Sequence, residues 1–137
     1  MSIRRILFTC IFMVASTLSA VAQETKGHVP LLQLFTMPDA FNGKRVTVFG
    51  YCRLNFEGTA IYLYKEDFVY GLSNTVWLEM SPKDITPERR AIQYCLVEGT
   101  YNSTNRGHMG QYSGAIEHVS RYEPLPPKPR PISRPKR

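Results

Sequence analysis

The sequence predicts a mainly β fold: a small five-stranded Greek-key barrel with a short N-terminal helix and a helix between strands three and four. Three observations lead there. Five short segments alternate apolar and polar side chains, with turn residues between them. The first carries Gly50 at its centre, where a strand bulges or bends sharply. A Thr-Pro-Glu start, Thr86-Pro87-Glu88, separates the third segment from the fourth. The length of 137 residues suits one domain, and 43% hydrophobic with 20% charged residues is enough to build a core.

Each element follows from its residues. Pro30 opens Leu31, Leu32, Leu34 and Phe35 as a short helix, which Pro38 ends; alone it is marginal, so it docks on the sheet as a plug. Arg45 to Leu54 is the first strand, with Val46, Val48, Cys52 and Leu54 on one side and Thr47, Phe49, Tyr51 and Arg53 on the other. Asn55 to Gly58 reads as a hairpin turn. Thr59 to Tyr64 is the second strand, dividing Ile61 and Leu63 from Tyr62 and Tyr64. Lys65 to Ser73 is a helical turn closed by Gly71. Thr75 to Met80 is the third strand, with Val76, Leu78 and Met80 opposite Trp77 and Glu79. Ile85 to Gln93 is the helix capped at Thr86. Tyr94 to Tyr101 and Ala115 to Tyr122 are strands four and five, joined by the loop Asn102 to Ser113.

Three strands, a helix and two more strands is the order of an OB-fold; a plain antiparallel sheet packed by helices is the alternative. In the barrel order, Cys52 and Cys95 fall on neighbouring strands with both side chains facing the core. A disulfide is therefore expected, the alternative being two buried thiols that never meet. Further motifs carry a resemblance: Phe41-Asn42-Gly43-Lys44-Arg45-Val46 leading to Gly50, Phe56 to Leu63, Leu96-Val97-Glu98-Gly99-Thr100-Tyr101, and Gly107-His108-Met109-Gly110 with Ser113-Gly114. Over about residues 31–123 the chain resembles small exported bacterial OB-fold-like proteins without an assigned activity. The resemblance implies fold and export and names no chemistry.

The ends differ from the middle. Arg4 and Arg5, the apolar run Ile6 to Val14 and the small-x-small sequence Ala20-Val21-Ala22 form a secretory signal over residues 1–22. Cleavage near Ala22 leaves a periplasmic or extracellular protein: a polar spacer over 23–29, a barrel domain over 30–123 and a tail over 124–137. The tail holds six prolines and five Lys/Arg, namely Lys128, Arg130, Arg134, Lys136 and Arg137, with no acid. That composition predicts disorder and extended polyproline II, with weak contacts to anionic surfaces.

Charge placement bears on function. The chain carries a formal +6, yet residues 23–123 hold ten Lys/Arg against eleven Asp/Glu, a net −1. A barrel without excess positive charge, in an exported protein, argues against nucleic acid. No metal or cofactor is expected: there is no CxxC, and His28, His108 and His118 lack ligand spacing. Gly110-Gln111-Tyr112-Ser113-Gly114 lacks the spacing of a nucleophile elbow, and no catalytic residue is assigned.

A ligand surface is more legible. OB barrels bind on strands two and three and the loops between strands one–two and four–five. Here those positions carry Tyr62, Tyr64 and Trp77, flanked by Phe56, Glu57, Arg106, His108 and Tyr112. Aromatic rings rimmed by polar groups suit a small molecule, a glycan or a protein of the cell envelope. The bland alternative is that Tyr and Trp simply cover the sheet, with segment 65–73 lying across them. The leading expectation is an exported, non-enzymatic binding or accessory module. An interaction subunit of an envelope complex comes second, and a small hydrolase or redox protein third.

Overall fold

The computed structural model describes residues 27–55 and 58–126. The expected signal peptide, most of the spacer, Phe56 and Glu57, and the tail beyond Pro126 lie outside the described residues.

Five strands close a barrel: β1 (Arg45–Arg53), β2 (Ala60–Tyr62), β3 (Thr75–Leu78), β4 (Gln93–Asn102) and β5 (Ala115–Pro124). Their order around the barrel is β1-β2-β3-β5-β4, and among these five strands the short β3–β5 pairing alone is parallel. This is the OB-like Greek-key arrangement expected from the strand order.

Gly50 sits where β1 changes partners. The strand pairs with β4 from Arg45 to Cys52 and with β2 from Tyr51 to Arg53. A Cβ on Gly50 would lie 2.6 Å from both the Ile61 side chain and the Tyr62 carbonyl oxygen. Glycine is therefore what lets β2 close against the bend.

The inward half of each alternating strand forms the core. Val46, Val48, Cys52, Ile61, Val76, Leu78, Cys95, Val97 and Ile116 are fully buried. The helix α1 (Leu31–Thr36) supplies Leu31 and Leu34 to the same core, followed by the single turn α2 (Pro38–Phe41). Buried Tyr101 ties plug to barrel, since its hydroxyl lies 3.1 Å from the carbonyl oxygens of Leu34 and Ser113. Cys52 and Cys95 are joined by a disulfide between β1 and β4, with Cα atoms 5.8 Å apart. Closing that loop restricts the unfolded chain and stabilises by about 4 kcal/mol in the chain-entropy account.

The helix α3 (Lys65–Tyr70) ends as its sequence predicts. Gly71 adopts φ 65°, and Leu72 donates to the Asp67 carbonyl at 2.8 Å, a left-handed cap. The buried Asp67 carboxylate accepts from the Tyr64 backbone and from Asn74, both at 2.7 Å, and so fixes where the helix leaves β2.

Three expectations are adjusted. Between β3 and β4 the helical element is a single 3-10 turn, Pro82–Asp84, followed by a turn over 87–90 in place of a helix over 85–93. Residues 86–90 present no apolar stripe, and a short helix without a packed face does not persist. Arg89 instead lies over the Tyr122 ring, 5.7 Å from its centroid. The ordered fold also begins earlier, because Val29 is buried and donates to Thr47 at 2.8 Å. It runs later too: β5 reaches Pro124, and Leu125 donates to the Tyr94 carbonyl at 2.9 Å.

Candidate binding surface

The outward half of the strands carries a belt of aromatic rings. Phe49 on β1 stacks on Tyr94 of β4, with centroids 5.5 Å apart and planes within 4°. Tyr94 meets Tyr51 edge-on at 5.2 Å, and Tyr51 meets Phe68 of α3 at 6.0 Å. Phe68 meets Tyr62 of β2 at 5.4 Å. Tyr112, from the loop between β4 and β5, packs against the Tyr51–Ala60–Tyr62 cluster and meets Trp77 of β3 edge-on at 5.1 Å. The barrel thus wears rings from β4 around to β3.

The two ends of the belt differ. At the β3 end, Tyr62 is only 9% exposed beneath Phe68, whose ring also lies 5.6 Å from the Arg53 guanidinium. Trp77 is half-buried, and its ring lies so close to Gly107 that a Cβ there would come within 2.6 Å. Arg106 donates to the Tyr112 carbonyl at 3.2 Å and so serves the loop. Burial raises the Tyr112 hydroxyl pKa above the usual tyrosine value, with the nearby Tyr62 adding to the rise and Arg53 opposing it. A cleft of about 430 Å³ remains beside Tyr62 and Tyr112, lined also by Ser73, Thr75 and Gln111.

At the β4 end the rings are open. Phe49 is 49% exposed and Tyr94 37%. Two clefts meet at this stacked pair. The first, about 600 Å³, is walled by Tyr51, Lys65, Ile92, Leu125 and Pro126. The second, about 540 Å³, is walled by His28, Pro30, Leu32, Leu63 and Tyr64. Leu32, Ile92 and Tyr64 are themselves exposed. Apolar surface of this kind, gathered around two stacked rings, is a feature of interaction sites.

The residues that the sequence singles out therefore divide. Tyr62, Trp77, Tyr112 and Arg106 do come together, but largely as packing between α3, β3 and the β4–β5 loop. Tyr64 stands apart, 58% exposed, on the wall of the second open cleft. His108 is exposed in the short 3-10 turn His108–Gly110. Phe49, Tyr51, Tyr94, Ile92 and Leu125 are additions that sequence reasoning misses. A signal for Phe49 and Tyr51 exists, as both lie on the outward side of the first strand's alternation. Tyr94 joins them through the β1–β4 register, which pairs Tyr51 with Tyr94.

No family model, curated protein or solved structure matches this chain. Among the described residues, no three His, Cys, Asp or Glu side chains gather to hold a metal, and no helix is long and apolar enough to cross a membrane. Both bridged cysteines are buried, so neither offers a free thiolate. The Ser113 hydroxyl donates to the Ser73 carbonyl at 3.2 Å, a loop tie across the covered end.

Proposed function

We propose that this protein is an exported, non-enzymatic binding module whose working surface is the open aromatic face around Phe49 and Tyr94, and that it holds an extended apolar segment of a protein partner. The observation that carries this is the meeting of two solvent-open apolar clefts at one stacked ring pair. A flat ring pair continued by Leu32, Ile92, Pro30 and Leu125 offers more apolar contact than the polar fence a sugar needs. Aromatic-walled grooves of this shape are how extended proline-rich segments are held elsewhere. The leader-like residues 4–22 and a disulfide inside the core support export, since bridges persist in oxidising compartments.

A second reading rests on the smaller cleft, where Gln111, Ser73 and Thr75 sit beside Tyr62 and Tyr112. That mixed lining suits a small polar ligand. The two readings separate in one titration. A fluorescent, neutral, proline-rich peptide should bind the protein and lose about 5-fold in affinity on Phe49→Ala or Tyr94→Ala, an aromatic contact being worth roughly 1 kcal/mol. Gln111→Ala should leave the affinity unchanged. Equal binding by the Phe49 and Tyr94 variants would remove the open face as the site.

A further inference from the structure

The described chain stops at the wall of the open cleft. β5 pairs with β4 as far as Pro124 opposite Cys95, and the next residue, Leu125, donates to the Tyr94 carbonyl. Leu125 and Pro126 then line the first cleft beside Phe49, Tyr51 and Tyr94. The last described residue thus stands at the rim of that groove.

The sequence from Pro126 to Arg137 has a period of three. Polyproline II has three residues per turn, so positions three apart share an edge of the prism. One edge carries Pro126, Pro129, Ile132 and Pro135 and is wholly apolar. The second carries Pro127, Arg130, Ser133 and Lys136, and the third Lys128, Pro131, Arg134 and Arg137. All five positive charges thus avoid the edge that starts at Pro126, the residue already in the cleft wall.

Resting on the reading of the open face as a binding surface, we propose that residues 127–137 fold back in cis along that face as a polyproline II segment and compete with the partner for it. The apolar edge lies on the Phe49 and Tyr94 rings while the Lys and Arg side chains point to water. Proline fixes φ near the required value, so ordering this segment loses little entropy. From Pro126 to Pro135 such a segment would span about 28 Å at 3.1 Å per residue, starting at the first cleft, which shares the Phe49 and Tyr94 rings with the second. Lys65 stands in the wall of the first cleft, beside the path proposed for the apolar edge. Cations on that edge would have met Lys65.

The test uses the full chain, labelled with nitrogen-15, and two double variants. Pro129→Glu with Ile132→Glu puts charge on the apolar edge, whereas Arg130→Glu with Ser133→Glu alters a solvent edge. The first pair should move the amide resonances of Phe49, Gln93 and Tyr94, and the second should leave them in place. The first pair should also bind the added neutral proline-rich peptide more tightly. A directly tethered segment acts at ~1 mM, so against a groove with a dissociation constant of ~100 µM its removal gains about 10-fold.

Identical resonances in the two variants would overturn the proposal, as would shifts that vanish on dilution, which mark a second copy as the occupant. Shifts with no gain in peptide affinity would overturn the competition. If the tail variants change nothing while the peptide still binds at Phe49 and Tyr94, the cis segment falls and the binding face stands. If the peptide fails to bind even the apolar-edge variant and nothing shifts, both fall.

Discussion

The two ends of the aromatic belt are built from the same residue types and are covered to different extents. At the β3 end each ring has a cover: Phe68 lies over Tyr62, Tyr112 over Trp77, and Gly107 closes against the indole. At the β4 end Phe49 and Tyr94 stack on each other, with Tyr51 edge-on to Tyr94, and both rings keep surface open to solvent. The difference lies in what crosses the sheet. The helix α3 and the β4–β5 loop fall across β2 and β3, and neither covers the stacked pair, although Lys65 of α3 stands in the wall of its cleft. An outward aromatic residue is thus packed or left open according to its neighbour in space.

The largest effects of substitution belong to the covered end. Gly107→Ala places a Cβ in a left-handed backbone conformation against the Trp77 ring, and about 3 kcal/mol of stability should be lost in chemical denaturation. Phe68→Ala removes the lid from Tyr62 and Tyr51, and about 2 kcal/mol is expected for a half-buried phenylalanine. Phe49→Ala should cost about 1 kcal/mol of stability, chiefly its stacking on Tyr94, while weakening peptide binding. An equal stability loss at Phe49 and Phe68 would erase the contrast.

A pH scan sharpens the same division by reporting covered hydroxyls. Burial raises the pKa of Tyr112, of Tyr101 and of Tyr122, the last to about 12. A hydroxyl whose folded pKa lies above its unfolded value near 10 stabilises the fold fully below pH 10. That contribution is lost as pH rises from about 10 toward 12, because the unfolded chain ionises first. Ultraviolet titration should show late-ionising tyrosines, with one fewer in Tyr112→Phe. A melting temperature that does not fall above pH 10 would contradict the burial of these groups.

Much of the barrel was legible because alternation is a local signal. Val46, Val48 and Cys52 declare the inward face of β1, and Gly50 declares its bend. Cys52 and Cys95 then become partners as soon as strands one and four are neighbours. Segment 85–93 misled because Thr86 and Pro87 start a helix well, but the start is local and the missing apolar stripe leaves nothing to dock. The site was less legible for a related reason. Alternation put Tyr62 and Trp77 on the outer face correctly, but which outer rings are covered depends on where α3 lands. Tyr94 reaches Phe49 only through the strand register, and Leu125 reaches Tyr94 only because β5 extends to Pro124.

The proposed function puts the partner on the open end of the belt and leaves the covered end unoccupied. Hydroxyl-radical footprinting with mass-spectrometric readout, with and without saturating proline-rich peptide, compares both ends in one sample. Oxidation of Phe49 and Tyr94 should fall several-fold on binding while that of Trp77 and Tyr112 stays constant. Protection at Trp77 and Tyr112 with Phe49 and Tyr94 unchanged would contradict the account.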